Sequence, residues 1–197
     1  MTHPRVTIGL LTWNGSATLP ACLASLLTQT FTDWEFVALD NGSRDESATM
    51  VGAWCAANLP PDRWRLVKAK SNTGYAAGMN AIAERSRGEF LLALNQDVAL
   101  HPAYSTSLIS LLDTHPKCAA VCGRVYRSAE LAVDEAALAG VAQSAWGGGR
   151  TIDSTGHVLY RDRVVMNRRG GQVDDGRDKG EFREKVFGVP GSCPMYR

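Results

Sequence analysis

Neither sign of charge prevails in this chain. Its 21 Lys and Arg against 20 Asp and Glu leave a net charge of +1, which gives no field to draw in nucleic acid or a membrane surface, so any polyanion contact must be local. The opening stretch MTHPRVTIGLLTWNG has an apolar run broken within a few residues by Thr12 and Asn14. That run is too short for a secretory leader or a membrane span, and it predicts a cytoplasmic protein. Five cysteines, odd in number and scattered, form no C-x-x-C pair, which argues against a disulfide framework or a zinc ribbon; most sit among Ala, Val and Leu and read as small hydrophobes. The four histidines lie far apart and make no metal motif. Also missing are G-x-G-x-x-G after the first strand, G-x-x-x-x-G-K-[ST] and G-x-S-x-G, which disfavours a dinucleotide-binding domain, a P-loop and the simplest hydrolase.

What is present is ordinary for a globular domain: 197 residues, 45% hydrophobic and 21% charged, enough to bury a real core as one domain over residues 1–197. Two periods alternate over the first hundred residues. RVTIGLLT, WEFVALD, WRLVKA, EFLLALN and AAVCGRVY read as strands, short and rich in β-formers. Between them, Leu19, Cys22, Leu23, Leu26 and Leu27 recur at helical spacing with Thr18 as cap; Ser43 and Glu46 have capping-box spacing ahead of Met50, Val51, Trp54 and Cys55. YAAGMNAIAERS and YSTSLISLLDTH complete the helices. Alternation of this kind predicts an α/β fold, a mostly parallel central sheet with helices on both faces, because each crossover must return over the sheet.

Near residue 127 the character changes. Residues 128–197 are rich in Gly, Arg and Asp, with HVLY and RVVMN as short strands, until EKVFGVPGSCPMYR restores an apolar strand pattern. Long loops inside a compact domain are usually functional or mobile. Gly147, Gly148 and Gly149 with Arg150, Arg161, Arg163, Arg168 and Arg169 suit a flap over an anionic ligand, or equally a solvated loop.

Ligands of open parallel sheets bind beyond the carboxyl ends of the strands. The residues there are Thr12-Trp13-Asn14, Asp40-Asn41-Gly42-Ser43, Ser71-Asn72-Thr73-Gly74 and Asn95-Gln96-Asp97. Each alone is a credible turn. Four on one edge are harder to dismiss, since carboxylates and amides suit the base and ribose of a nucleotide and a hard divalent cation.

In order and spacing, VTIGLLTWNG, FVALDNGSRDES, SNTGYAAGMN and LLALNQDV resemble the inverting family 2 glycosyltransferases of glycosyltransferase-A fold, particularly the bacterial rhamnosyltransferase-like members that build cell-surface polysaccharides. VFGVPGSCPMYR resembles the family's later Gly-Ala/Ser-rich segment ending in Arg. The resemblance implies a UDP- or dTDP-sugar donor, a saccharide or lipid-linked acceptor, and no nucleic-acid partner. It makes residues 1–127 the nucleotide-sugar half and 128–197 an incomplete acceptor side. Thr12, Trp13 and Asn14 would lie by the base, with Asp40 accepting a hydrogen bond from a pyrimidine ring. Asn72, Gly74 and Asn80 would approach ribose and phosphates, Gly74 serving equally as a turn glycine at a helix start. Asn95-Gln96-Asp97 stands in the place of the D-x-D motif. With Asn95 at the first acidic position, Gln96 falls to the nucleotide and Asp97 becomes the single carboxylate on Mg²⁺ or Mn²⁺.

In the family the catalytic base lies downstream of the segment resembling GSCPMYR, so the resemblance puts it beyond Arg197, in a chain shortened at its C-terminus. A missing C-terminal part would also supply any peripheral attachment to the inner face of the membrane. Asp153, Asp174, Asp175, Asp178, Glu181 and Glu184 read as solvated surface charge. Two other readings stand beside the enzyme: a non-catalytic nucleotide-sugar-binding or scaffold domain, supported by the missing base, and a sugar nucleotidyltransferase. The latter is disfavoured because TWNGSATLP has one Gly and no basic residue.

Overall fold

The computed structural model describes residues 3–127, 150–175 and 184–197. Strands β1 (Val6–Thr12), β2 (Trp34–Asp40), β3 (Trp64–Lys68) and β4 (Phe90–Asn95) alternate with helices α1 (Leu19–Leu27), α2 (Ser47–Asn58), α3 (Tyr75–Ala83) and α4 (Tyr104–Thr114). There follow β5 (Ala120–Val121), β6 (Val125–Tyr126), β7 (Ile152–Ser154), β8 (His157–Leu159), β9 (Val165–Asn167) and β10 (Met195–Tyr196). The main sheet runs β3-β2-β1-β4-β10-β5. β1 to β4 pair in parallel, while β10 is antiparallel to both β4 and β5. The α/β expectation with a mostly parallel sheet holds.

Side chains alternate across the sheet, so each strand feeds two cores. Ile8, Leu10, Phe36, Ala38, Leu92 and Leu94 bury against Leu23 and Leu26 of α1, Val51 and Cys55 of α2, and Leu108 and Leu112 of α4. On the other face Val37 and Leu39 meet Ile82 of α3, with Leu11 and Met79 at the margin. Two glycines let α3 lie this close: a Cβ on Gly9 would stand 2.6 Å from Cγ2 of Ile82, and one on Gly78 2.5 Å from Cδ1 of Leu11.

Three local expectations need correction. AAVCGRVY is not one strand. Gly123 donates its N–H to the Tyr104 hydroxyl at 3.0 Å, and the chain leaves the main sheet there, so that β5 stays in it and β6 pairs with β7 instead. Ser43 and Glu46 do not form a capping box. α2 begins at Ser47, whose N–H donates to Asp45 Oδ1 at 3.0 Å, while Ser43 Oγ accepts from the Asn14 N–H at 2.9 Å. Thr18 occupies the N-cap of α1 without making a side-chain cap bond. In EKVFGVPGSCPMYR only Met195–Tyr196 is strand, joined by an isolated bridge between Gly188 and His157.

The amino ends of the strands are closed by an ion pair between buried Glu35 and half-buried Arg87. Glu35 is 1% exposed; its carboxylate accepts from the Thr7 hydroxyl at 2.8 Å, the Arg87 N–H at 2.7 Å and Arg87 Nε at 2.6 Å. Arg87 Nη2 also donates to the Asp62 carbonyl at 2.9 Å. The turn before β4 is thereby fastened to β1 and β2. Removing one partner of such a pair strands a buried charge. Arg87→Met should therefore destabilise the fold by about 3 kcal/mol, measured by urea unfolding; a loss below about 1 kcal/mol would show that Glu35 is held by Thr7 and the backbone alone.

Candidate functional site

β1 pairs with β2 through Thr12 opposite Asp40, and with β4 through Leu11 opposite Asn95, so three polar strand ends finish at one level. An open cleft of about 240 Å³ lies there, lined by Leu11, Thr12, Trp13, Asn41, Asn72, Tyr75, Asn95, Gln96 and Asp97.

Of the residues expected at a ligand, Thr12, Trp13, Asn72, Gln96 and Asp97 line this cleft. Trp13 is 50% exposed, and Asp97 is exposed as well. Gln96 acts as a clamp on β1: Oε1 accepts from the Thr12 hydroxyl at 2.6 Å and the Trp13 N–H at 2.8 Å, and Nε2 donates to the Trp13 carbonyl at 3.2 Å. Asn14 takes a left-handed backbone, φ 48°, which Asn tolerates better than most residues. Its Oδ1 accepts from the Arg44 N–H at 2.8 Å, locking the turn after β1 to the turn after β2. Asn80 is exposed on α3 and does not line the cleft.

Asp40 is 4% exposed. Oδ2 accepts from the Ser43 N–H at 3.2 Å, whereas Oδ1 is buried with no hydrogen-bond partner. An unpaired buried acceptor costs about 1–3 kcal/mol, so this oxygen is the chemically unfinished atom of the strand-end layer.

Two residues of the cleft had no individual role in the sequence pattern, Asn41 being only one of a strand-end cluster. Asn41, 2% exposed, holds the loop before α3: its Nδ2 donates to Asn72 Oδ1 at 3.0 Å and the Gly74 carbonyl at 3.3 Å, and its Oδ1 accepts from the Thr73 N–H at 3.0 Å and the Thr73 hydroxyl at 3.1 Å. Gly74, at φ +84°, turns that loop into the helix, and the space where a Cβ would stand is open. Tyr75 donates from Oη to the Gly191 carbonyl at 2.6 Å, tying α3 to the segment that leads into β10; burial pushes its hydroxyl pKa up. The only sequence signal for Asn41 was its place directly after Asp40. Tyr75 gave none, because its partner is a backbone carbonyl 116 residues away.

Behind the β4 end, Cys22 lies buried with Sγ 3.5 Å from the Asn95 carbonyl oxygen. Burial, with the Asp97 carboxylate adding, pushes its thiol pKa up, which fits the small-hydrophobe reading. Asp45 runs the other way: hydrogen bonds from the Ser47 hydroxyl and then the Ser16 N–H hold its carboxyl well below the usual range. No group of three or more His, Cys, Asp or Glu placed to hold a metal occurs among the described residues. Asp97 is the one carboxylate among the described residues that line the cleft, and it fits a hard cation only where phosphate oxygens and water fill the remaining positions.

Of the acceptor-side carboxylates read as surface charge, Asp174 departs from that reading. It is 1% exposed and bonded to Arg124 and the Tyr126 hydroxyl, an arrangement that holds β6 rather than serving a ligand. Asp153 pairs with Arg127 at 3.1 Å, and Glu184 with Arg168. Asp178, Glu181 and Gly147 to Gly149 lie outside the described residues.

Residues 7–168 match the model of glycosyl transferase family 2. The chain belongs to that family. A PGL/p-HBAD biosynthesis glycosyltransferase of Mycobacterium tuberculosis is 29% identical over 174 residues, 86% of this chain and 61% of the relative's length. The succinoglycan biosynthesis protein ExoO of Rhizobium meliloti is 27% identical over 110 residues, 56% of this chain and 30% of its own. This family 2 chain therefore spans about three fifths or less of these relatives. Among solved structures, the mannosyltransferase PcManGT of Pyrobaculum calidifontis, in complex with GDP-Man and Mn²⁺, superposes with a TM-score of 0.57 at 23% identity over 67% of this chain and 38% of that one. Staphylococcus aureus TarS 1–349 in complex with UDP-GlcNAc gives 0.56 at 19% identity over 64% and 37%. At these identities the likeness shows the glycosyltransferase-A fold alone.

The family 2 domain depends on Asn41 to hold the loop that walls its cleft. Asn41→Ala should cost about 2 kcal/mol of stability. It should also speed hydrogen exchange of the Thr73 amide about tenfold or more relative to core amides; unchanged exchange would place the loop's support elsewhere.

Proposed function

We propose that this chain is the donor-binding part of an inverting glycosyltransferase of bacterial surface-polysaccharide or glycolipid synthesis, akin to the rhamnosyltransferase-like members. It would take a UDP- or dTDP-sugar and pass the sugar to a saccharide or lipid-linked acceptor. The observation that carries this reading is Asp40 Oδ1, a buried acceptor without a hydrogen-bond partner at the end of β2, opposite Thr12 and next to Asn41, both of which line the cleft. The ring N–H of uracil or thymine is a donor of the right kind, and pairing with it would relieve the desolvation cost of that oxygen on binding. Trp13 offers an aromatic face beside it. Asn72 and the open space at Gly74 suit ribose and phosphate.

Asp97 is the residue for Mg²⁺ or Mn²⁺, held jointly with the donor diphosphate. Such an ion supplies Lewis-acid stabilisation of the departing diphosphate. The chain's own part is to set Asp97 at the cleft through the Gln96 clamp and to keep the β4 end still. No helix among the described residues is long and apolar enough to cross a membrane, and we place the domain on the cytoplasmic side, where nucleotide sugars are held.

UDP with Mn²⁺ should raise the melting temperature, because a ligand bound only to the native state stabilises it. Asp40→Asn sets an N–H donor against the ring N–H. It should leave the free protein about as stable while weakening UDP about tenfold or more. Asp97→Ala should remove only the part of the shift that depends on Mn²⁺. No shift with UDP, dTDP or GDP in the presence of Mn²⁺ would overturn the reading.

A further inference from the structure

The β8–β9 hairpin stands apart from the main sheet and exposes what other strands bury. Leu159, Tyr160, Val164, Val165 and Met166 are 44–55% exposed, and Phe187, whose N–H donates to the His157 carbonyl at 3.1 Å beside β8, is 63% exposed. Leu159 faces Val165 and Val158 faces Met166 across the ladder, so apolar side chains emerge on both faces of the ribbon. Scattered apolar residues are normal on a surface; a contiguous cluster on one projecting element marks a contact.

The turn that joins the two strands carries the second observation. Arg161 and Arg163 flank Asp162, whose carboxylate already accepts the Val164 N–H at 3.2 Å. Neither arginine takes part in an ion pair among the described residues. The turn thus carries two arginines against one aspartate in a chain whose net charge is only +1, whereas Arg168 further along is already paired with Glu184. A double-faced apolar ribbon with unpaired arginines at its tip matches the boundary of an anionic bilayer, where acyl chains receive the apolar groups and lipid phosphates the guanidinium groups.

We infer that the β8–β9 hairpin docks this protein onto an anionic membrane surface by inserting Leu159, Tyr160, Val164, Val165 and Met166 at the headgroup level with Arg161 and Arg163 on lipid phosphates. The contact is independent of the donor site, so it stands or falls without the proposed transfer reaction.

The test is flotation of the whole chain with vesicles of phosphatidylcholine, with and without about a third phosphatidylglycerol. Binding should require the anionic lipid and fall as salt rises. Each basic side chain at such a surface contributes about fivefold, so Arg161→Gln with Arg163→Gln should weaken binding about 30-fold. Val165→Ser with Met166→Ser should weaken it about tenfold or more. Both pairs are solvent-exposed, so the variants should melt as the parent does. The proposal is overturned by equal binding to neutral vesicles, or by variants that bind as the parent. It is overturned equally by a concentration-dependent dimer in sedimentation that the apolar pair of substitutions dissolves, which would assign the surface to a second copy.

Discussion

The parallel pairing of β1 with β2 on one side and β4 on the other places every other feature of the site. Because all three strands run in register, Thr12, Asp40 and Asn95 end at one level, and their backbone groups arrive together where no further sheet can satisfy them. Side chains must complete the layer. Gln96 extends β1 by binding Thr12 and both polar backbone groups of Trp13; Asn41 does the same for the loop before α3. Ser47 accepts from the Gly15 N–H at 2.8 Å and so joins the α1 and α2 turns. The amide-rich composition of these four turns is thus explained mainly by structure, and the ligand-facing groups are the few that this work leaves over.

The segment leading into the antiparallel β10 braces two residues that line the cleft, Asn95 and Tyr75. The Ala93 and Asn95 N–H groups donate to the Pro194 and Ser192 carbonyls at 2.9 Å, Tyr104 binds the Cys193 carbonyl at 2.8 Å, and Tyr75 reaches Gly191 from the opposite side. At the other end of the same strand, Arg197 packs its guanidinium over Phe90 at 5.0 Å and donates to the Leu112 and Cys118 carbonyls. A strand of two residues could not hold its place through its ladder pairing alone. Its flanks anchor it to α3, α4 and β4, and the end of β4 that carries Asp97 is braced in turn.

Period and order were readable in the residues because burial enforces them. The short, mostly apolar runs of VTIGLL and WEFVALD are the signature of strands covered on both faces, and the Leu spacing of α1 follows from one packed side. Aromatic and amide contacts between distant segments were not readable: Tyr75 with Gly191, Tyr104 with Gly123 and Cys193, and Asp174 with Arg124 and Tyr126 depend on where loops return in space. The capping box failed for a related reason. Ser43 had a better partner in the backbone of Asn14, and Asp45 took over the helix start, a competition that spacing cannot weigh. The four strand-end clusters were legible as a set, yet the division between clamp and ligand-facing group inside them was not.

Size alone does not locate the site. A larger cleft of about 370 Å³ opens at the amino ends of the strands between His3, Arg5, Asp33, Arg87 and Glu89, but its charges are already spent on one another: Arg5 pairs with Glu89 at 2.9 Å and with Asp113, Arg63 with Asp33 at 3.3 Å, and Arg87 with the buried Glu35. A ligand there would have to break ion pairs before making new ones. At the carboxyl ends the balance is opposite. The Gln96 and Asn41 amides are used, no arginine or lysine among the described residues lines the cleft, and a buried carboxylate oxygen remains without a donor. Since an unmade hydrogen bond in a buried place costs more than a made one contributes, the two ends of one sheet differ in what they can gain from a ligand. That difference, rather than the volume of either cleft, supports the proposed binding edge.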